Sequence, residues 1–202
     1  MAIMLSGQQC ELREVVLRDK PSEMITVSPK ATVPVLVEAD GTVRDESLQI
    51  MLWALEQNDP GSLLSPQTGD KEQMLELIAR IDGPFKEHLD RYKYATRYAG
   101  ENKGNGLSPD NHRDMAMMIL KEFEERLQQS RFLFGEQLSL ADIATAPFVR
   151  QFANTNPDWF AAQPHTKLQQ WLSGILQSEL FLACMQKYAP WKKHTSGPPF
   201  PG

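Results

Sequence analysis

Val33 and Pro34 open an extended, β-branched segment that could recognise a peptide-like ligand. A proline entering a strand cannot donate a hydrogen bond to the ladder, so it belongs at an edge, a strand start or a bulge. If the Val33–Pro34 bond is cis, the chain turns sharply and leaves the amide and carbonyl groups of Val33 free to pair with a ligand as an extra strand. The alternative is an ordinary trans proline, which the local sequence alone favours because only about 5–6% of X–Pro bonds are cis.

Glu46 and Ser47 stand at the predicted start of the next helix. Either residue could simply satisfy the free amides of that helix, a role that needs no ligand. Alternatively, the hydroxyl and the free amides could bind a ligand carboxylate while the neighbouring glutamate meets an ammonium group. An α-amino-acid head group carries both charges on one carbon. Taken alone, the capping role is the simpler interpretation.

The two cysteines, Cys10 and Cys184, lie at opposite ends of the chain. Two cysteines cannot build a disulfide framework, and together with four scattered histidines they show no metal-ligand spacing. We therefore predict no metal site and interpret both cysteines as small buried side chains rather than reactive thiols. A reducing cytoplasm is the simplest compartment for such a chain.

Residues 1–59 contain short elements that would position the Val33–Pro34 segment and the Glu46–Ser47 pair. The predicted elements are the last turn of a helix at Ile3–Leu5 closed by Gly7, a strand at Leu12–Leu17, a brief helix at Pro21–Val27, two extended segments that flank Asp40-Gly41, and a helix from Ser47.

The chain changes character after a breaker-rich linker at residues 60–70, and residues 71–202 are helical in pattern. Pro84 interrupts the first apolar stripe and predicts a kink. The further predictions are a Gly/Asn-rich loop at Lys103–Ser108, helices that begin at Ser108 and at a Ser139/Asp142 capping box, shorter helices at Lys167–Leu172 and Leu180–Tyr188, and a tail from Thr195 that runs extended along the surface or stays loose.

Composition excludes several classes of protein. The chain has 202 residues, of which 41% are hydrophobic and 23% charged, and these proportions are typical of a globular protein. The formal net charge of −5 is well mixed along the chain, so we predict no nucleic-acid partner. No apolar run approaches the ~18 residues of a membrane span, and we predict no membrane association.

The order Val-Pro-Val-Leu, an Asp-Gly turn and Glu-Ser on the next helix resembles the thioredoxin-like domain of the cytosolic glutathione transferases. The segments Leu-Arg-Asp-Lys-Pro and Ser-Pro-Lys-x-x-Val-Pro-Val-Leu are most similar to the omega-like branch, which includes bacterial members. In the helical half, Phe-Gly followed by Ser139-Leu-Ala-Asp142 resembles the family's capping box. The resemblance implies an α/β thioredoxin-like N-terminal domain (incomplete) plus an all-α C-terminal helical domain, the glutathione transferase fold.

The resemblance also implies roles for individual residues. Val33, before Pro34, would pair with the cysteinyl backbone of glutathione, and Glu46 with Ser47 would hold its γ-glutamyl group. Lys20 of the Lys-Pro pair would also reach glutathione. The implied co-substrate is glutathione without a metal, the second substrate is a small electrophile or a disulfide, and the implied assembly is a homodimer.

The family's catalytic Ser, Tyr or Cys lies where the first strand runs into the first helix, and no residue of this chain matches it. The chain begins at what matches the end of that helix, so we expect a truncated N-terminus or a misplaced start site. A genuine short variant is the alternative, and the coding DNA upstream of Met1 would distinguish the two. Because the first strand of this fold is interior, its loss would leave two strand edges unpaired.

The resemblance implies glutathione-dependent thiol transfer, reduction or conjugation, and therefore an enzyme at the level of the family. One alternative is a non-catalytic protein that uses the same fold for binding or regulation. Another is an isomerase-like use of glutathione, as in the zeta branch, because the residue that separates the branches is not in this chain.

Overall fold

The computed structural model describes residues 1–98, 100 and 106–202. The predicted loop at Lys103–Ser108 lies partly outside the described residues, because residues 103–105 are not among them. The chain divides into two compact units. The first unit consists of residues 1–61 together with 179–202, and the second consists of residues 62–178.

In the described residues the first unit contains both helices and strands, whereas the second unit is helical. The elements are α1 (Ala2–Ser6), β1 (Cys10–Glu11), α2 (Ser22–Val27), β2 (Leu36–Val37), β3 (Val43–Arg44), α3 (Ser47–Gln57), α4 (Lys71–Arg80), a π-helical turn (Ile81–Phe85), α5 (Lys86–Lys93), α6 (Pro109–Leu127), α7 (Leu140–Thr155), α8 (Pro157–Ala161), α9 (Thr166–Leu176), α10 (Glu179–Cys184) and β4 (Pro199–Phe200).

Helix α1 packs against α3 in the first unit. Ala2 on α1 and Ala54 and Leu55 on α3 are buried. Gly7 ends α1 in the left-handed conformation, with φ 70°, as its position in the sequence predicts. The Asn58 side-chain amide donates to the Ser6 carbonyl oxygen at 2.8 Å, so the residue after α3 also satisfies the end of α1.

Strands β2 and β3 form the predicted antiparallel hairpin, with Leu36 opposite Arg44 and Val37 opposite Val43. The turn uses the Asp-Gly pair found in the sequence. The Thr42 amide donates to Asp40 Oδ1 at 2.8 Å, and Gly41 adopts a φ of 91° that other residues rarely take.

The strand predicted at Leu12–Leu17 is wrong, because the strand in this part of the chain, β1, is Cys10–Glu11 and ends before Leu12. Its antiparallel partner is β4, near the end of the chain. The tail from Thr195, predicted to run extended along the surface or stay loose, runs extended, and Pro199–Phe200 form this strand. The reason is that strand formation depends on an available partner, which β propensity alone does not supply.

The last residues, from Glu179, belong to the first unit, whereas the sequence placed them in the helical domain. Phe181 on α10 is buried, and the Cys184 thiol lies 3.1 Å from the Met4 thioether on α1. At the other boundary, the predicted linker packs in the second unit. Its Leu63 is buried, and the Leu63 carbonyl accepts a hydrogen bond from the Leu140 amide at 3.0 Å.

The helical unit is built around aromatic side chains. The ring of Phe152 on α7 lies 5.6 Å from that of Phe85 and 6.1 Å from that of Phe160, both in edge-on contacts. Pro84 lies inside the π-helical turn that joins α4 to α5, where the sequence predicts a kink. None of the helices within the described ranges is long and apolar enough to cross a membrane.

Asp142 holds the helical unit together at the start of α7. Its buried carboxylate accepts hydrogen bonds from the amide and hydroxyl of Ser139 at 2.9 and 2.6 Å, which is the predicted capping box. It also accepts from the Leu133 amide at 3.0 Å and from the Trp171 indole of α9 at 2.8 Å. Burial raises the pKa of Asp142, and these four donors oppose that rise by favouring the carboxylate.

Replacing Asp142 with Ala should destabilise the helical unit by about 3 kcal/mol, because buried donors on Leu133 and Trp171 would lose their acceptor and each costs roughly 1–3 kcal/mol. The matched control is Asn111→Ala, which removes the corresponding residue of the exposed Ser108 capping box and should cost about 1 kcal/mol. Urea unfolding followed by circular dichroism measures both. Equal losses would contradict the wider role of Asp142.

Candidate functional site

Glu46 and Ser47 lie at the start of α3 as the sequence predicts. Glu46 has extended backbone angles, with φ −119° and ψ 133°, and the helix begins at Ser47. Both residues are exposed. The first amides of a helix have no partner within it, so the α3 N-terminus presents donors to solvent beside the Ser47 hydroxyl and the Glu46 carboxylate.

Lys30 connects the preceding loop to this helix start. Its ammonium lies 2.7 Å from Glu46 Oε1 and 3.2 Å from Asp45 Oδ1. These carboxylates, Glu46 first, raise the pKa of Lys30. Sequence reasoning did not select Lys30. The only available signal was its place in the Ser-Pro-Lys segment, and that segment does not reveal a contact 16 residues away.

The turn that carries Lys30 is also bound to the Asp45 carboxylate. Ser28 is buried, and its hydroxyl donates to Asp45 Oδ2 at 3.3 Å. The Ala31 amide donates to the Ser28 carbonyl at 2.9 Å, and Ala31 has a positive φ of 53°. The loop that leads to Val33 therefore begins at a turn that is hydrogen-bonded to Asp45, close before α3 in the sequence.

The Val33–Pro34 peptide bond is cis, whereas the local sequence alone favours trans. The Val33 side chain is 45% exposed. Among the described residues, neither the amide nor the carbonyl of Val33 forms a hydrogen bond within the chain. This segment therefore offers a backbone donor and a backbone acceptor close in sequence to Lys30.

Lys20 is half-buried and lies just before Pro21 and α2. In the part of the chain that the structure describes, no hydrogen bond or ion pair joins its side chain to the α3 start or to the Val33 loop. The structure thus joins Lys30, three residues before Val33, to Asp45 and Glu46, and among the described residues no such contact joins Lys20 to them.

Glu38 at the end of β2 fixes the orientation of α3. Its carboxylate accepts hydrogen bonds from the Trp53 indole on α3 and from Arg44 Nε on β3, both at 2.7 Å. The hairpin and the helix are therefore joined by one side chain that is 20% exposed. Sequence reasoning missed this contact because its partners are far apart along the chain.

Neither cysteine is placed like an activated thiol. Cys10 lies in β1, and burial raises its pKa, whereas a nucleophilic cysteine needs a lowered one. Cys184 is at the end of α10, beside Met4, and not at a helix N-terminus. Within the described ranges no three His, Cys, Asp or Glu residues form a group that could hold a metal ion.

The start of α3 and the Val33 loop together combine three recognition elements. The Glu46 carboxylate can pair with a cation, and the α3 amides with the Ser47 hydroxyl can bind a carboxylate. The free amide and carbonyl of Val33 can pair with an extended backbone. This set suits a small peptide with a zwitterionic α-amino-acid head group.

Comparison with known families gives matches to both units. The family model described as glutathione S-transferase, N-terminal domain, matches residues 1–63. The model described as glutathione S-transferase, C-terminal domain, matches residues 76–173.

Individual proteins with the same family name are also similar. Glutathione S-transferase PM239X14 from Arabidopsis thaliana is 25% identical over 153 residues, which cover 73% of this chain and 70% of the relative. The structure of BphK, a bacterial glutathione S-transferase, superposes with a TM-score of 0.71 and 22% identity over 91% of this chain and 90% of that one. A glutathione transferase family member from Pseudomonas fluorescens, solved with two glutathione molecules bound, has a TM-score of 0.73 and 17% identity, covering 90% and 84%.

Replacing Trp53 with Phe should lower the free energy of unfolding by about 2 kcal/mol, because the hydrogen bond that it removes goes to a charged acceptor. The matched control is Trp191→Phe, whose indole donates to the neutral, exposed carbonyl of Thr195 and which should cost about 1 kcal/mol or less. Urea midpoints of the two variants provide the measurement. A larger loss in the control would show that Glu38 does not orient α3.

Proposed function

Because the chain belongs to the glutathione S-transferase family, with a thioredoxin-like N-terminal domain and a helical C-terminal domain, we propose that it binds glutathione at the start of α3. The proposed use is thiol transfer, reduction or conjugation. The observation that carries the proposal is the pair of Lys30 contacts to Glu46 and Asp45, which hold the turn before Val33 against the residues that precede α3.

The proposed roles follow the chemistry of the tripeptide. The Ser47 hydroxyl and the free α3 amides receive the α-carboxylate of the γ-glutamyl group, and Glu46 receives its ammonium. The backbone of Val33, before Pro34, pairs with the cysteinyl residue. Lys20 is proposed as a further contact with glutathione, and this role is based only on the resemblance to the family.

The ion pair between Lys30 and Glu46 can be exchanged for one between glutathione and Glu46. In the free protein its ammonium already occupies one oxygen of Glu46. A glutathione ammonium would take that place, and Lys30 would keep its second partner, Asp45. Because these side chains are largely exposed, the exchange trades one weak ion pair for another at little cost.

The proposed chemistry belongs to the glutathione sulfur, since neither Cys10 nor Cys184 is placed as a nucleophile. In conjugation the glutathione thiolate forms a thioether and the leaving group departs from the electrophile with the electron pair. In thiol transfer the thiolate attacks a disulfide, forms a mixed disulfide and releases the second sulfur as a thiolate. The chain binds and orients glutathione in either case.

A non-catalytic glutathione-binding or regulatory protein is the second candidate. The features at Glu46, Ser47 and Val33 support it, because they account for the binding of glutathione and not for a reaction. A homodimer in the cytoplasm is proposed for either candidate on the resemblance to the family.

Replacing Ser47 with Ala should weaken glutathione binding by about 1–3 kcal/mol, or roughly 5- to 150-fold, because a hydrogen bond to a charged group is lost. Isothermal titration of the chain with glutathione measures the change. The control is Ser108→Ala, which alters a serine at the start of a helix in the other unit. Unchanged affinity in the Ser47 variant, or no binding by the parent chain, would overturn the assignment.

Turnover distinguishes the two candidates once binding is established. The parent chain would be assayed with glutathione and either a small aromatic electrophile or a small disulfide. Product formation supports the transferase. Binding without product, under conditions where a known family enzyme is active, supports the binding protein.

A further inference from the structure

The C-terminal segment, residues 191–202, lies along the edge of β1. Phe200 is opposite Cys10 and Pro199 is opposite Glu11 in an antiparallel ladder. The Leu12 amide donates to the Pro198 carbonyl at 2.9 Å. The segment thus covers an edge whose backbone groups would otherwise face solvent.

Gly197 makes the close approach to this edge. A Cβ atom at this position would collide with the carbonyl group of Leu12. Its amide donates to Glu11 Oε1 at 2.9 Å. A larger residue at position 197 would therefore prevent the segment from docking without altering β1 itself.

The side-chain contacts that hold the segment lie at the surface, where Lys193 and Arg13 are exposed and their partners Glu23 and Trp191 are half-buried. Lys193 lies 2.7 Å from Glu23, and this contact lowers the pKa of Glu23 to about 2. The Arg13 guanidinium lies 5.0 Å from the centre of the Trp191 ring. Exposed ion pairs and cation–π contacts are individually weak, so the segment can leave the edge without disrupting a core.

We propose that residues 191–202 are a detachable cover, and that the uncovered β1 edge pairs with the β1 edge of a second copy of this chain. Two copies of one strand related by a twofold axis pair antiparallel. This is the orientation in which β4 already lies on β1. The inference does not depend on the proposed function.

Charge complementarity selects the register of this pairing. Glu11 and Arg13 lie on one face of the extended segment, 2.8 Å apart. In an antiparallel pair centred on Leu12, Glu11 of each copy lies opposite Arg13 of the other. The two cross-strand pairs are then of opposite charge, which favours this register.

The first test removes the cover. A chain ending at Pro190, and the full chain with Gly197→Val, should each have about twice the mass of the parent assembly in light scattering at the same concentration. The control is Gly202→Ala, since a Cβ there meets only the Pro199 carbonyl, at 3.9 Å, and it should match the parent. A synthetic peptide of residues 191–202 should reverse the doubling, and its Gly197→Val form should bind about tenfold more weakly or worse.

The second test examines the register by charge reversal in the uncovered chain. Arg13→Glu should abolish the doubling, and the double variant Glu11→Arg with Arg13→Glu should restore it. The Leu12 amide should stay protected from hydrogen exchange in the doubled form. If the shortened chain fails to fold, the Gly197→Val chain carries the same comparison. A folded, uncovered chain that keeps the parent mass, or a doubling insensitive to charge reversal, would overturn the proposal.

Discussion

Burial of one face of α3 against α1 is the constraint on which the first unit depends. Ala54 and Leu55 can leave solvent only with the helix in that place, because the small sheets in this unit have two-residue strands and little surface to bury. Glu38 then fixes the helix to the hairpin through Trp53, and Lys30 fixes the loop to its first turn. The candidate site is therefore the free end of the most constrained element in the unit.

Sequence reasoning succeeded where the signal is local. Gly7, the Asp40-Gly41 turn and the Ser139/Asp142 capping box each act on backbone groups a few residues away, so residue type and spacing were sufficient. The same reasoning placed Glu46 and Ser47 at the start of α3, because a helix start is also a local feature. It missed the contacts of Lys30 and Trp53, and it placed a strand at Leu12–Leu17, after the observed β1, because in each case the tertiary fold selects the partner.

Glu46 and Asp142 show how differently the two units use a carboxylate. Asp142 is buried and holds four donors from three segments, so it has no capacity left for a ligand. Glu46 is exposed, and its partner is the exposed cation of Lys30. The first arrangement stabilises a fold permanently, whereas the second leaves a charge whose partner can be exchanged.

The division of the chain has a consequence for its synthesis. Residues 62–178 form a unit from one uninterrupted stretch, and this stretch can close as soon as it has left the ribosome. The other unit draws on both residues 1–61 and residues 179–202, so its earliest-made part must wait for its latest-made part. Residues 1–61 are thus translated before the other unit but complete their own unit after it.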